Sequence, residues 1–426
     1  MHFEWVEPTR RDDSRPDAAV SGDGTVRLGS EELRRLGAGD GAPLRVARVP
    51  VGVSLVPRDM PPQKIYVELT AECNLDCAMC IRHASDEPVG RMTAATFDAI
   101  LGQIRGLPTL PSLNFSGFGE PMAHPLFSQF LARARQAGCA VEIVTNGTLL
   151  TREAAERLIE LGLDRVVVSV DGITPSASQR LHASSFPQIA ASLKMLSHLK
   201  AARRVAHPEI GLEFVATKRN IAELPEIKRL APLLGFTHIL VTNLVPHTLE
   251  LAGETLYERW TTAAPSHGAS HWDPSVDLPP MDPASEATAP IERLRLAGTA
   301  LRLNGAEIAG ARPRCRFVTE GRLAIAWDGS VSPCLPLLRS CTYYFRGHAK
   351  RIRRYSVGNV NQTPLRQLWD LAEYRAFRER VRRFEFAPCL SCGGCELRDS
   401  NEEDCVSSEF PRCGECLWAA GLCQCP

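Results

Sequence analysis

The chain has 426 residues, 44% of them hydrophobic, so it can bury more than one large core, and its length suggests two or three domains. Its 49 basic and 49 acidic residues cancel, which leaves no overall field to draw it to nucleic acid or to an anionic membrane surface. No stretch approaches the about 18 uncharged apolar residues of a membrane span, and Met1-His2-Phe3-Glu4-Trp5 has no signal-sequence character, so the expectation is a cytoplasmic protein. Fifteen cysteines would suggest disulfides in a small secreted domain, but in a long chain that clusters them, metal is the better account.

In chain order, residues 1–60 read as a small β module. Gly24-Thr25-Val26-Arg27-Leu28 precedes a one-turn helix over Ser30–Gly37, with Ser30 as N-cap and Gly37 as stop, and strands Leu44–Val49 and Gly52–Val56 follow. That order resembles the swapped-hairpin domain of transition-state regulators. A module that docks on the next domain is the plainer reading.

Residues 61–261 alternate in period. Strands are expected at Ile65–Leu69, Ser112–Phe115, Val141–Val144, Val166–Val170, Leu212–Ala216 and Ile239–Thr242. Between them Phe97, Ile100, Leu101 and Ile104 repeat at helical spacing, as do Phe127, Phe130, Leu131 and Ala134. Alternating strands and helices imply parallel βα units with right-handed crossovers, and six of them curl into an open (β/α)6 barrel whose ligands belong at the carboxyl ends of the strands. Cys139, alone between a helix and a strand, reads as a buried small apolar residue.

Cys73-Asn74-Leu75-Asp76-Cys77-Ala78-Met79-Cys80 follows the first of these strands. Three thiolates in CxxxCxxC spacing hold three irons of a 4Fe–4S cubane and leave the fourth open, whereas a cluster that only carries electrons wants four thiolates. A zinc site would pair CxxC with a second CxxC or with histidine. The spacing after an apolar strand resembles the radical S-adenosylmethionine superfamily, in which the open iron chelates the cofactor and the reduced cluster cleaves it to a 5′-deoxyadenosyl radical. Ser116-Gly117-Phe118-Gly119-Glu120-Pro121, after the second strand, resembles that superfamily's Gly-Gly-Glu-Pro element with Phe118 at a usually small position. The resemblance implies that Gly117, Gly119 and Glu120 hold the methionine end of the cofactor. Asn146 after the third strand, and Ser169 and Asp171 at the end of the fourth, match positions that line its pocket, although Asn-Gly and Asp-Gly are also ordinary turn formers. Asn243 and His247, after the sixth strand, are further candidate substrate contacts, although a satisfied surface histidine is the plainer reading of His247. Met79 stands where many members place an aromatic residue near adenine.

Residues 262–299, rich in Pro, Ser and Ala, read as a linker or mobile loop. Within 300–426, Arg351-Ile352-Arg353-Arg354 reads as a solvated loop face. Cys315, Cys334, Cys389, Cys392, Cys395 and Cys405 resemble the SPASM extension of radical peptide and protein maturases, which implies two auxiliary clusters. Cys413, Cys416 and Cys425 extend the ligand set, and sequence order leaves open which four thiolates share a cluster. The ending from Asn401 to Pro426, with Gly358-Asn359-Val360 and Leu368-Trp369 ahead of it, resembles the SPASM subgroup that matures tungsten-cofactor oxidoreductases.

The resemblance thus implies a radical S-adenosylmethionine maturase that modifies a tungsten-dependent oxidoreductase or its pterin cofactor, with reduced ferredoxin or flavodoxin as electron donor. The rival is a ribosomal-peptide maturase that crosslinks a precursor peptide. A non-catalytic multi-cluster electron carrier leaves the open-iron spacing unexplained.

Overall fold

A computed structural model describes residues 60–174, 186–257, 314–387, 389–390, 392 and 395–425, together with the backbone of seven short strands elsewhere. The chain falls into two compact units, Met1–Pro61 and Pro62–Pro426. In the first, Ala18–Val20 pairs antiparallel with Val26–Leu28, and Leu44–Arg48 with Val53–Pro57. The helix expected over Ser30–Gly37 lies outside the described residues. So does the expected linker, apart from the backbone of Val276–Leu278, which pairs in parallel with Leu301–Leu303.

The second unit is built on six parallel strands: β1 (Lys64–Val67), β2 (Ser112–Phe115), β3 (Val141–Thr145), β4 (Arg165–Val170), β5 (Glu209–Ala216) and β6 (His238–Asn243). Each lies within three residues of its expected place. The helices between them are α1 (Ala94–Ile104), α2 (Phe127–Gln136), α3 (Arg152–Glu160), α4 (Phe186–Arg203) and α5 (Leu224–Leu234). Thr93 caps α1 by accepting the Thr96 N–H, and Thr151 caps α3 by accepting that of Ala154. Strand residues alternate in direction. Ile65, Val67, Leu113, Phe115, Ile143 and Val168 turn outward into one apolar core with Phe97, Ile100, Phe130 and Leu131 of α1 and α2. Cys139 is buried in the same core.

The intervening residues face the barrel interior, so Lys64, Asn114, Glu142, Arg165, Ser169 and Glu213 share that side. At the amino ends of the strands Lys64 Nζ meets Glu142 Oε2 at 2.7 Å, and Asn114 Nδ2 donates to the same oxygen at 3.1 Å.

The sheet does not stop at β1. A strand from the carboxyl-terminal part, β7 (Arg322–Ile325), pairs with it in parallel, and β8 (Ser330–Ser332) continues the sheet antiparallel. The observed order is β6-β5-β4-β3-β2-β1-β7-β8, ending on the short strand Gly358–Asn359. Arg322 Nη1 donates to the Tyr66 hydroxyl at 2.8 Å across 256 residues of sequence. This is why the two parts that the sequence separates at 61–261 and 300–426 fall in one compact unit.

The run at 351–354 is not simply a solvated face. Arg351 and Ile352 end the strand His348–Ile352, Arg353 pairs with Glu402, and Arg354 pairs with Glu87 at 2.9 Å. Glu87 also accepts the Ser340 N–H at 3.3 Å, and Arg339 donates to the Glu87 and Pro88 carbonyls. The loop after Cys80 is therefore gripped by the carboxyl-terminal part.

Candidate functional site

All three cysteines of the CxxxCxxC stretch lie in one loop beyond β1, partly exposed. The Leu75 N–H points at the Cys73 sulfur from 3.4 Å, and Arg82 Nε at the Cys80 sulfur from 3.3 Å. Burial pushes the Cys73 thiol up, and the Leu75 N–H and Arg82 pull it back. These N–H donors and the guanidinium would offset negative charge on the sulfurs. That suits thiolate ligands of an iron cluster.

The loop after β2 is pressed against this segment. A Cβ on Gly119 would lie 2.2 Å from the Thr70 carbonyl oxygen and 2.4 Å from that of Glu72, so only glycine fits. A Cβ on Gly117 would lie 2.6 Å from Cγ of Glu68. Glu120 N–H donates to the Glu72 carbonyl at 2.8 Å, which fastens the loop directly ahead of Cys73.

The Glu120 carboxylate is buried. It accepts from Thr145 Oγ1 at 2.9 Å, the Met122 N–H at 3.0 Å and the Asn146 N–H at 2.8 Å. An ionised carboxylate has about four lone-pair positions, so about one remains for a ligand. Burial pushes Glu120 up, against those three donors. Asn146 extends the link, its Nδ2 reaching Asn74 Oδ1 at 3.0 Å and the Cys73 sulfur at 3.7 Å. The expected residues Gly117, Gly119, Glu120 and Asn146 thus adjoin the cysteine loop.

Ser169 and Asp171 stand further along, at the carboxyl end of β4 on the interior face. Met79 packs with Leu244, Leu251 and Val215 beside the barrel mouth. Asn243 and His247 both bond to the carboxyl-terminal part, so His247 is a satisfied histidine, buried where a surface one was expected. Asn243 Nδ2 donates to the Leu422 carbonyl at 2.7 Å, and His247 Nδ1 lies 2.9 Å from the Thr342 carbonyl. They hold the carboxyl-terminal part against the barrel.

Sequence reasoning missed Glu68. Its Oε1 accepts the Phe118 N–H at 3.1 Å, its Oε2 is buried without a partner, and Arg339 Nε lies 4.0 Å away. The missed signal was its position, one residue past β1 on the interior face.

A cavity of about 210 Å³ opens in the carboxyl-terminal part, with Cys315, Cys334, Cys413 and Cys416 in its wall. Burial pushes the Cys334 and Cys413 thiols well above their usual range, and each is raised further by its neighbours in this set. Thiols so deeply buried gain most from a metal centre that takes their protons' place, and among the described residues no three such side chains gather tightly enough to hold a single metal ion. Cys341 and Cys425 also touch the cavity, as does the buried pair Lys350 and Glu415. Cys389, Cys392, Cys395 and Cys405 lie on a separate segment, and burial pushes Cys389 up against a bond from Arg412. Cys423 donates to the Asn243 carbonyl at 3.5 Å.

Phe118 joins the two regions. Its ring leaves the glycine loop and packs with Tyr66, Phe317 and Leu338 beside Cys315, Cys334 and Cys425. A large residue fits at this usually small position because the cavity wall needs filling.

An open parallel barrel with a three-cysteine loop, continued by a cysteine-lined domain, defines a radical S-adenosylmethionine enzyme with an iron–sulfur extension. The chain belongs to the radical SAM superfamily, which residues 67–209 match, and residues 315–396 match SPASM, an iron–sulfur cluster-binding domain. Among known proteins, the tungsten-containing aldehyde ferredoxin oxidoreductase cofactor-modifying protein of Pyrococcus furiosus is 31% identical over 85% of this chain and 96% of its own. The PqqA peptide cyclase of Gluconobacter oxydans is 26% identical over 79% of this chain and 86% of its own. The fold is also that of SuiB from Streptococcus suis, solved with S-adenosylmethionine, at a TM-score of 0.51 and 16% identity over 78% of this chain and 71% of that one. The protein is an enzyme that uses S-adenosylmethionine and 4Fe–4S iron–sulfur chemistry. No helix among the described residues is long and apolar enough to cross a membrane.

Proposed function

We propose that this enzyme matures a tungsten-dependent oxidoreductase by modifying that enzyme or its pterin cofactor. One observation carries the reading: the similarity to the Pyrococcus furiosus protein runs through 96% of that protein, barrel and SPASM domain together. The proposed organisation is a β module over 1–60, a radical core over 61–261, a connecting segment over 262–299 and a SPASM domain over 300–426.

In this reading Cys73, Cys77 and Cys80 hold the cofactor-cleaving cluster. With S-adenosylmethionine bound, that cluster supplies a radical able to abstract hydrogen from substrate. The chain's own residues do the positioning. Gly117 and Gly119 let the loop approach, Glu120 offers its remaining acceptor position to the cofactor ammonium, and Asn146 ties that loop to Cys73. Ser169 and Asp171 line the interior beyond them. Cys315, Cys334, Cys413 and Cys416 form one auxiliary ligand set and Cys389, Cys392, Cys395 and Cys405 a second. Cys425, also expected as a ligand, borders the first set. Phe118 fills the space between the barrel interior and the first auxiliary set. Reduced ferredoxin or flavodoxin supplies the electron, and the enzyme works in the cytoplasm.

The test is genetic. Deleting the gene in its host leaves the tungsten oxidoreductase polypeptide present but inactive under tungsten-replete conditions. Full aldehyde-oxidising activity in the deletion strain, with loss of a modified peptide, would transfer the assignment to the peptide maturases, which the similarity to PqqA peptide cyclase favours as the second reading.

A further inference from the structure

The barrel interior changes character along its axis. At the amino ends of the strands carboxylates have cations, Glu142 with Lys64 and Glu209 with Arg165 at 2.7 and 2.8 Å. At the carboxyl ends Glu68 reaches Arg339 only at 4.0 Å. Glu213 of β5 stands opposite Ser169 of β4 in the sheet register, and Asp171 lies two residues beyond Ser169 on the same interior face. Both oxygens of Asp171 are buried without a hydrogen-bond partner. Glu213 is half-buried on that face, and burial raises its carboxyl. Ser116, at the end of β2, is likewise buried with its hydroxyl unpartnered.

Buried polar groups are normally satisfied, and a group left open deserves a cause. Here Asp171 and Ser116 are left open together, at the end of the strands where barrels of parallel strands take ligands. Two carboxyl groups cannot satisfy each other fully, so the ligand must bring the donors. The geometry points to Asp171 and Glu213 as a carboxylate pair that receives a planar N–C–N donor fork on the substrate. Two parallel N–H groups match one carboxylate in bidentate fashion, and the second carboxylate takes the outer N–H. Burial raises both carboxyls, Asp171 to about 8 and Glu213 to about 7, and a donor fork acts against this by rewarding the ionised form.

Two substrates carry such a fork: a pterin, along its ring edge, and an arginine side chain, in its guanidinium. The assignment rests on the maturase reading above and deepens it, because a tungsten cofactor brings the pterin. A precursor peptide would bring the arginine.

The experiment uses the full chain with its clusters reconstituted anaerobically. Pterin binding, followed by fluorescence, is compared with binding of lumazine, which replaces the 2-amino group by oxygen, and of N-acetyl-argininamide by calorimetry. Pterin is expected to bind at least about tenfold more tightly than lumazine. Glu213→Gln and Asp171→Asn, both close in shape to the parent, should erase that preference while iron content and near-ultraviolet circular dichroism show the fold intact. Should either variant lose its iron, Glu213→Asp gives the second reading, since it keeps the charge and should retain the preference in weakened form. Binding of N-acetyl-argininamide instead of pterin, lost in the same variants, keeps the fork-binding pair and removes the tungsten reading. Equal affinity for pterin and lumazine overturns the pair. So does a Glu213→Gln chain that loses S-adenosylmethionine and keeps its pterin preference, because the carboxylate then belongs to the cofactor.

Discussion

Glu120 and Asn146 are joined by a 2.8 Å bond from the Asn146 N–H to Glu120 Oε2, and Asn146 in turn points its side-chain nitrogen at the Cys73 sulfur, 3.7 Å away. One carboxylate thereby sets the spacing between the proposed cofactor loop and the proposed cluster loop. Glu120→Ala should leave buried donors from Asn146, Met122 and Thr145 unpaired, at a cost of about 1–3 kcal/mol. A lowered melting temperature together with weakened binding of S-adenosylmethionine is the expected result; full affinity in a destabilised chain would restrict Glu120 to a structural role.

Cys77→Ala should abolish reductive cleavage of S-adenosylmethionine, since two thiolates do not hold a cubane in place. Anaerobic assay of 5′-deoxyadenosine after dithionite reduction measures it. Product at the wild-type level would defeat the assignment of this loop.

The auxiliary grouping predicts iron counts. With three cubanes the full chain carries about twelve irons, and Cys413→Ala should fall to about eight. Cys423→Ser should keep the full number, because that thiol already spends its proton on the Asn243 carbonyl. Loss of iron from the Cys423 variant would redraw the ligand sets.

The raised interior carboxyls make stability depend on pH. Burial holds Asp171 near 8 and Glu213 near 7, above the unfolded values of about 4, so over that window the native state binds more protons than the unfolded one. Their contribution is fully present below about pH 4 and is lost as pH rises through 7 and 8. Glu213→Gln should flatten the decline between pH 5.5 and 8.5 by on the order of 1–3 kcal/mol. Calorimetric scans of both proteins, ligand-free, decide it, and parallel profiles would remove Glu213 as the cause.

Glu87 takes bonds from Ser340 and Arg354, while its carbonyl takes one from Arg339. Glu87→Ala should lower the melting temperature by a few degrees and speed proteolysis near residues 85–91, with the loss of about 1–3 kcal/mol expected for a partly buried charged bond. Cleavage at an unchanged rate would mean that the sheet pairing alone holds the two parts together.

Local physics wrote much of this fold into the sequence. The apolar run Val166–Val170 reappears in β4, buried along most of its length, and the helical period of Phe97, Ile100, Leu101 and Ile104 reappears with that face buried. Contacts made across hundreds of residues left no such trace. Nothing near Asn243 announces that its side chain will meet Leu422, and nothing near Lys64 announces that Arg322 will lie beside it. The cysteines sort into sets only when the tail returns to the cavity, because spacing shows which thiols are neighbours in the chain and not which are neighbours in space. Glu213 was within reach of the alternation rule, two residues from Gly211 and Val215 on the same face, but its place opposite Ser169 is a property of the assembled barrel.

The pairing of β7 with β1 has a practical side. A core cut off ahead of Cys315 would present the whole hydrogen-bonding flank of the strand that leads to Cys73, and would bare Tyr66, which is now completely covered. An open flank of this kind recruits other chains. Such a fragment would be judged by its tendency to precipitate before its iron could be counted, so the barrel is better studied by disabling cysteines one at a time within the intact polypeptide.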